Sequence, residues 1–303
     1  HDTTDLAYYF YDFNAKISHK LSDKSRLYLS LYDGKDKLFF NNHSEYGHEF
    51  YYYDEHGEQH PGISEDGEVK YTGSEAIKMD IGWGTRMASL NWAYAINSKL
   101  FSNTTLVYSR YQSDISLSYE DKMNSFYKDE TTGEESTGSA YEFYNPIYRS
   151  GIEDLGYRLD FDYAHNNNHL IRFGTAFLHH NFRPEESRVF QIQEDGEINR
   201  NDTITYADER VKVQELSLYA EDEMRIGHRL RANMGIHLSG FFVQGKTYLS
   251  VQPRLSVRYL LSKDLSLKAS YGRMSQYVHL LQSSYFNSPN DLWVPITKYV
   301  KPL

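Results

Sequence analysis

Hydrophobic and polar residues alternate along much of this chain. Tyr11, Phe13, Ala15 and Ile17 are interleaved with Asp12, Asn14, Lys16 and Ser18, the period of two that puts neighbouring side chains on opposite faces of a β-strand. Leu27, Leu29 and Leu31 then alternate with Arg26, Tyr28, Ser30 and Tyr32, and Leu155, Tyr157, Leu159, Phe161 and Tyr163 with Asp154, Gly156, Arg158, Asp160 and Asp162. The pattern returns at Leu230 to Leu238, at Val251 to Leu261 and at Leu265 to Tyr271. One run changes parity: Ile77, Met79, Ile81 and Trp83 hold odd positions, while Leu90, Trp92, Tyr94 and Ile96 hold even ones. An extra residue in a β-bulge near Ala88 and Ser89 would re-aim the strand and account for the change.

These runs predict about ten strands, several longer than the roughly 9 to 11 residues that cross a bilayer at a tilt. Their connections are sorted by length. Ser22 to Ser25, Asn97 to Lys99, Asn166 to Asn168, Gly227-His228 and Ser262 to Asp264 are short and built from residues that accept turn geometry. The intervening ones are long, over residues 41–74, 120–150 and 183–208, with a shorter one near Gln244 to Tyr248 and a tail from Ser275. Short and long connections in strict turn are the mark of an up-and-down barrel with one periplasmic and one outer rim. The expected fold is therefore all-β: an antiparallel, up-and-down transmembrane β-barrel over residues 1–274, with the long loops extracellular and 275–303 an extracellular segment leading to the next strand.

The alternation also sorts the charges. Apolar alternates facing lipid leave their charged neighbours to the other side, because Lys or Arg at the lipid-facing midplane costs about 2 to 4 kcal/mol. Arg158, Asp160, Arg254 and Arg258 are thus expected to face a polar lumen.

Composition narrows the field. Aromatic residues make up 16% of the chain, with 28 Tyr, and tyrosine suits the boundary between hydrocarbon and water. Mean hydropathy is −0.68, and no apolar run approaches the roughly 20 residues of a spanning helix, which excludes a helical membrane protein. A net charge of −10 without clustered Lys and Arg argues against nucleic acid as a partner. The absence of cysteine excludes a disulfide framework and decides little else. His1 to Asp5 lack a charged region followed by an apolar one, so any export signal is expected to have been removed.

Four stretches resemble the barrel of TonB-dependent receptors, especially of the Bacteroidetes type. Leu216-Ser217-Leu218-Tyr219-Ala220-Glu221-Asp222-Glu223 with Leu230 to Gly240 is similar to a strand pair of that family, and Gln252-Pro253-Arg254-Leu255 to the strand after it. Ser270-Tyr271-Gly272-Arg273-Met274-Ser275-Gln276 resembles a strand end, and Asn290 to Pro295 with Lys301-Pro302-Leu303 an extracellular segment. The resemblance covers roughly the last third of the chain. It implies a location in the bacterial outer membrane, among its lipids, and a barrel of about 22 strands with a plugged lumen. It further implies import of a nutrient (carbohydrate, peptide or metal chelate), coupling to the TonB complex through a plug and TonB box, and a possible surface lipoprotein partner. No plug, TonB box or closing aromatic strand is visible, so the chain is expected to be a segment of a larger barrel.

Candidate chemistry is sparse. His43, His48, His56 and His60 lie among Glu45, Glu49, Asp54, Glu55 and Glu58, residue types that bind transition metals, but no recognised ligand spacing occurs and a solvated loop is the expectation. The acidic stretch from Glu120 to Glu135 lacks the spacing of a calcium loop. No metal, cofactor or catalytic residue is expected. Tyr51, Tyr52 and Tyr53, with Tyr141 and Tyr144, could stack on a ligand, against the alternative of an aromatic girdle. Competing functions are a ten-stranded outer-membrane protease of the omptin type, imitated by His179-His180 or Asp208-Glu209, and a soluble extracellular β binding module.

Overall fold

A computed structural model describes residues 2–49, 51–53, 59–61, 63–64, 67–129, 132–195, 198–208, 210–282 and 291–302. Among the described residues there is no helix. The strands are β1 (Thr3–Ser22), β2 (Ser25–Glu49), β3 (Tyr51–Tyr53), β4 (Gln59–Pro61), β5 (Ile63–Ser64), β6 (Gly67–Ala95), β7 (Leu100–Asp129), β8 (Glu135–Asn166) and β9 (His169–Asp195). They continue with β10 (Ile198–Asp208), β11 (Val211–Ile226), β12 (Leu230–Val243), β13 (Lys246–Leu260), β14 (Ser266–Gly272), β15 (Val278–Gln282) and β16 (Asp291–Pro295). Twelve of them form one antiparallel sheet, ten in the up-and-down order β1-β2-β6-β7-β8-β9-β11-β12-β13-β14, with β10 paired to β9 and β5 to β6.

All five short connections close as expected, at one end of the sheet. Asn97 Oδ1 accepts from the backbone N–H of Lys99 and Leu100 at 2.8 and 3.0 Å, and Asn166 Oδ1 from that of Asn168 at 2.8 Å, so short polar side chains replace backbone partners in the turns. At the other end Gln244 and Gly245 both take positive φ, 48° and 75°, the backbone of a tight hairpin turn.

Strands run further than the alternation predicts. Residues 41–49 and 67–74 extend β2 and β6, 120–129 and 135–150 extend β7 and β8, and β10 folds back on β9. These stretches lack a clean polar and apolar alternation because neither face is covered evenly, but their backbone groups still pair. The expected bulge at Ala88 and Ser89 is absent: β6 pairs with β2 and β7 in unbroken register through those residues. A shift occurs instead between Arg149 and Gly151 of β8, where Pro184 and Glu185 of β9 stand against the single Ser150; proline suits a bulge because it has no ladder N–H to lose. Pro253 lies where β14 stops, its carbonyl accepting from Arg273 N at 3.1 Å, so its missing donor falls at the end of a ladder.

The unbroken register of β6 gives its change of parity another cause. Directly opposed residues share a face. One row reads Ile17, Leu29, Leu90, Leu106, Tyr157, Phe177, Leu216, and neighbouring rows on that face add Trp92, Leu155, Leu218, Leu238 and Val251. This band face is bare: Leu106 is 49%, Leu155 60% and Val251 53% exposed. The band ends at a row of Asp33, Arg86, Arg110, Glu153, Asn181 and Lys212. Beyond that row the same face carries Lys37 paired with Asp80 at 2.6 Å and Lys122 with Glu120 at 2.7 Å. There the apolar residues Phe40, Ile81, Ile115 and Leu117 occupy the opposite face. The strand does not kink; its surroundings change.

Residues 275–282 and 291–302 fold back on the face opposite the band. Tyr277 and Ile296 pack with Phe182, Val211, Val213, Phe241 and Val243, and Phe182, Phe241 and Ile296 are fully buried. Tyr277 stacks on Phe241 with ring centroids 4.8 Å apart, its hydroxyl is 2.7 Å from Ser239 Oγ, and Tyr248 donates to the Thr297 carbonyl at 2.7 Å. Replacing Phe241 with alanine is expected to cost about 3 to 5 kcal/mol of this docking. Limited proteolysis should then cut between residues 275 and 302 in the variant well before the parent protein; equal cutting rates would contradict the packing.

Candidate functional site

The face opposite the band is polar over the length of the band and holds the candidate site. Arg158 donates from Nε to both oxygens of Asp160, at 3.0 and 2.8 Å, and Tyr219 OH donates to Asp160 Oδ1 at 2.7 Å. Tyr219 reaches that carboxylate because its strand partner is Gly174, where a Cβ would lie 2.8 Å from the tyrosine ring. Glycine here serves close approach. Arg172 lies between Asp162 at 3.4 Å, Glu221 at 3.4 Å and Glu223 at 3.6 Å. Arg158, Arg172, Tyr219 and Glu221, with His237 and Arg254, line an open cleft of about 450 Å³.

Arg158, Asp160, Arg254 and Arg258 all lie on this polar face, as their register partners require. The aromatic candidates are not brought together. Tyr141 is opposite Lys122, whose ammonium lies 5.7 Å from its ring centre on the band side, whereas Tyr144 is opposite Tyr119 on the other side. Tyr51, Tyr52 and Tyr53 form β3 against β4, and their side chains lie outside the described residues. Tyr144 has neighbours the sequence did not suggest: Tyr46 donates to Asp121 at 2.8 Å, and Tyr119, Glu75 and Glu142 share that face. Burial and the hydrogen bond to Asp121 push the Tyr46 hydroxyl up to about 12, so it remains a donor. The register of these long extensions, which no alternation revealed, is what assembles them.

Two other candidates separate in the structure. His179 and His180 leave opposite faces of β9 and cannot act as a pair, while Glu209 and the side chain of Asp208 lie outside the described residues, as do residues 54–58 and the side chains of His48, Glu49 and His60. No group of three metal-ligating side chains occurs among the described residues.

His180, which the sequence did not single out for this role, is the most constrained titratable group. It lies on the polar face one residue short of the charged row that ends the band, flanked by outward His179 and Asn181, with the ring of Phe182 5.5 Å away. Its Nδ1 is 2.7 Å from Asp154 Oδ1, and its Nε2 is 3.8 Å from Glu215 Oε2.

A family model described as TonB dependent receptor-like, beta-barrel matches residues 11–293. No curated protein matches the chain. Among solved structures it is similar to the ferric-catecholate import receptor Fiu from E. coli K12 in an open form, at 6% identity over 90% of this chain and 64% of that one, with a TM-score of 0.23. The copper transporter OprC matches at 10% identity over 88% of this chain and 61% of that one, TM-score 0.20. The ferripyoverdine receptor of the Pseudomonas aeruginosa outer membrane, bound to ferripyoverdine, matches at 10% identity over 97% and 63%, TM-score 0.22. The chain spans less than two thirds of the length of each of these structures.

Proposed function

The chain belongs to the TonB-dependent receptor-like β-barrel family, which is located in the bacterial outer membrane, and on that premise we propose that the protein containing it imports a nutrient. The nutrient is a carbohydrate, a peptide or a metal chelate. Its capture falls to the long strand extensions, on the extracellular side, with Tyr144 and the Tyr46–Asp121 pair at the polar face and Tyr51 to Tyr53 nearby in sequence. The polar face, with Arg158, Asp160, Arg254 and Arg258, lines the aqueous lumen. Residues 275–282 and 291–302 dock over that lumen at the extracellular end, before the next barrel strand. Energy arrives from the TonB complex through a plug outside this chain, and a surface lipoprotein is a further candidate partner.

One observation carries this reading: the change of apolar face at the row of Asp33, Arg86, Arg110, Glu153, Asn181 and Lys212. On one side of the row bare leucines look out from the band; on the other, outward positions are charged. A hydrocarbon layer followed by water gives that pattern, while a protein core would bury the leucines. The family match runs through residue 293, past the end of β14, which favours an importer over a protease closing at its tenth strand.

Two measurements test the reading. Leu106→Arg on the band is expected to destabilise the protein in bilayers by about 2 to 4 kcal/mol, and Ser109→Arg on the polar face by far less; equal costs would contradict the lipid-facing band. In cells relying on this protein, uptake of a candidate nutrient should stop when TonB is deleted. Uptake that continues at the same rate would remove the energy coupling.

A further inference from the structure

At the short-turn end of the polar face Arg225 lies directly opposite Arg231, Arg231 opposite Arg258, and Arg258 opposite Lys268. The four cations stand in one row across four strands. All are exposed, and among the described residues none has a carboxylate at ion-pair distance. The nearest acid on that face, Glu223, is 3.6 Å from Arg172; Asp222 is on the band face, 2.7 Å from His169. Like charges directly opposed on neighbouring strands repel. In a chain with net charge −10, such a row runs against the average composition. In the next row of that face toward the middle of the sheet the opposed residues are Glu223, Asn233, Ser256 and Ser270, so that row carries no cation.

The shape of the row selects its counter-charge. Four neighbouring strands spaced at about 4.8 Å extend it over about 14 Å. A small anion touches two adjacent cations and leaves the others facing each other. An extended polypeptide repeats its same-side residues every 6.6 Å or so, and about five residues span the row. An open cleft of about 480 Å³ beside Arg231, Arg258 and Lys268 gives such a backbone room. We propose that this row is the docking site of an extended acidic polypeptide segment, with at least two Asp or Glu in about five residues, laid across β11 to β14. The proposal rests on the polar face being the lumen.

Lys268 supplies the test, because its amine condenses with a touching carboxylate under a water-soluble carbodiimide. Native outer membranes carrying the whole protein are treated, and peptides linked to Lys268 are sequenced. The expected result is an amide from Lys268 to an Asp or Glu of a segment with that acidic composition. Its yield should fall about tenfold in high salt, as screening predicts for exposed charges, and also in the Arg231→Ser, Arg258→Ser double variant. Linkage to Glu223, or no linkage while a membrane-impermeant acylating reagent modifies Lys268 readily, overturns the docking site and leaves the lumen reading intact. If inorganic phosphate at the concentration of the protein's carboxylates abolishes the link, a small anion is the occupant and the proposal fails. Failure of the impermeant reagent to reach Lys268 in purified, unlinked protein overturns both.

Discussion

In hydrocarbon no water is available for a free N–H or C=O, so each strand must find its hydrogen bonds on its neighbours. The rest of this architecture follows from that demand. Short turns keep successive strands adjacent, and antiparallel ladders run from β1 to β14 with few interruptions. Irregularities are placed where they cost least. The β8–β9 shift lies beyond the apolar band, and Pro253 sits where β14 stops. β1 and β14 each have one partner in the sheet, and in lipid their outer edges require further strands.

Pairing fixes which residues are opposed, and the medium on each side then decides what they can be. Leucines at the band are stable where hydrocarbon is outside and would be a liability in water. The charged row from Asp33 to Lys212 is where that balance reverses. Above it, apolar side chains such as Ile81, 6% exposed, turn to the opposite face, away from the water outside. The true hydrophobic core is small and lies on that same face, where Phe182, Val213 and Phe241 meet Tyr277 and Ile296. It exists because Tyr277, Val278, Trp293 and Ile296 supply a cover that the sheet itself lacks.

Strand number, turn positions and the polar placement of Arg158, Asp160, Arg254 and Arg258 were legible because each depends on local alternation and turn chemistry alone. The supposed bulge at Ala88 shows where that reading fails. A change of parity has two causes, an extra residue or a change of environment, and sequence spacing is the same for both; the register of β6 against β2 and β7 separates them. The strand extensions were illegible for a related reason, since without one uniformly apolar face they lose the period of two. Tyr141 and Tyr144 do not share a face because they are three residues apart, an odd interval, and must face opposite ways in a regular strand. His180 was hidden because its partners, Asp154 and Glu215, come from β8 and β11, and only the sheet brings them within reach.

The polar face is also uneven along its length. At the long-connection end Glu75, Asp121 and Glu142 gather with Tyr46, Tyr119 and Tyr144. In the middle, arginines and carboxylates alternate in near balance around Asp160 and Arg172. At the short-turn end the row from Arg225 to Lys268 is wholly cationic. Low-dielectric walls focus such a field along the enclosed space, so on the lumen reading an anionic group entering from the long-connection end moves toward rising positive potential. A solute held first by tyrosine hydroxyls and carboxylates therefore leaves a site suited to hydroxyls and cations for one suited to anions. Passage then depends on something that fills or masks the cationic row, because an anionic solute bound there would otherwise be retained.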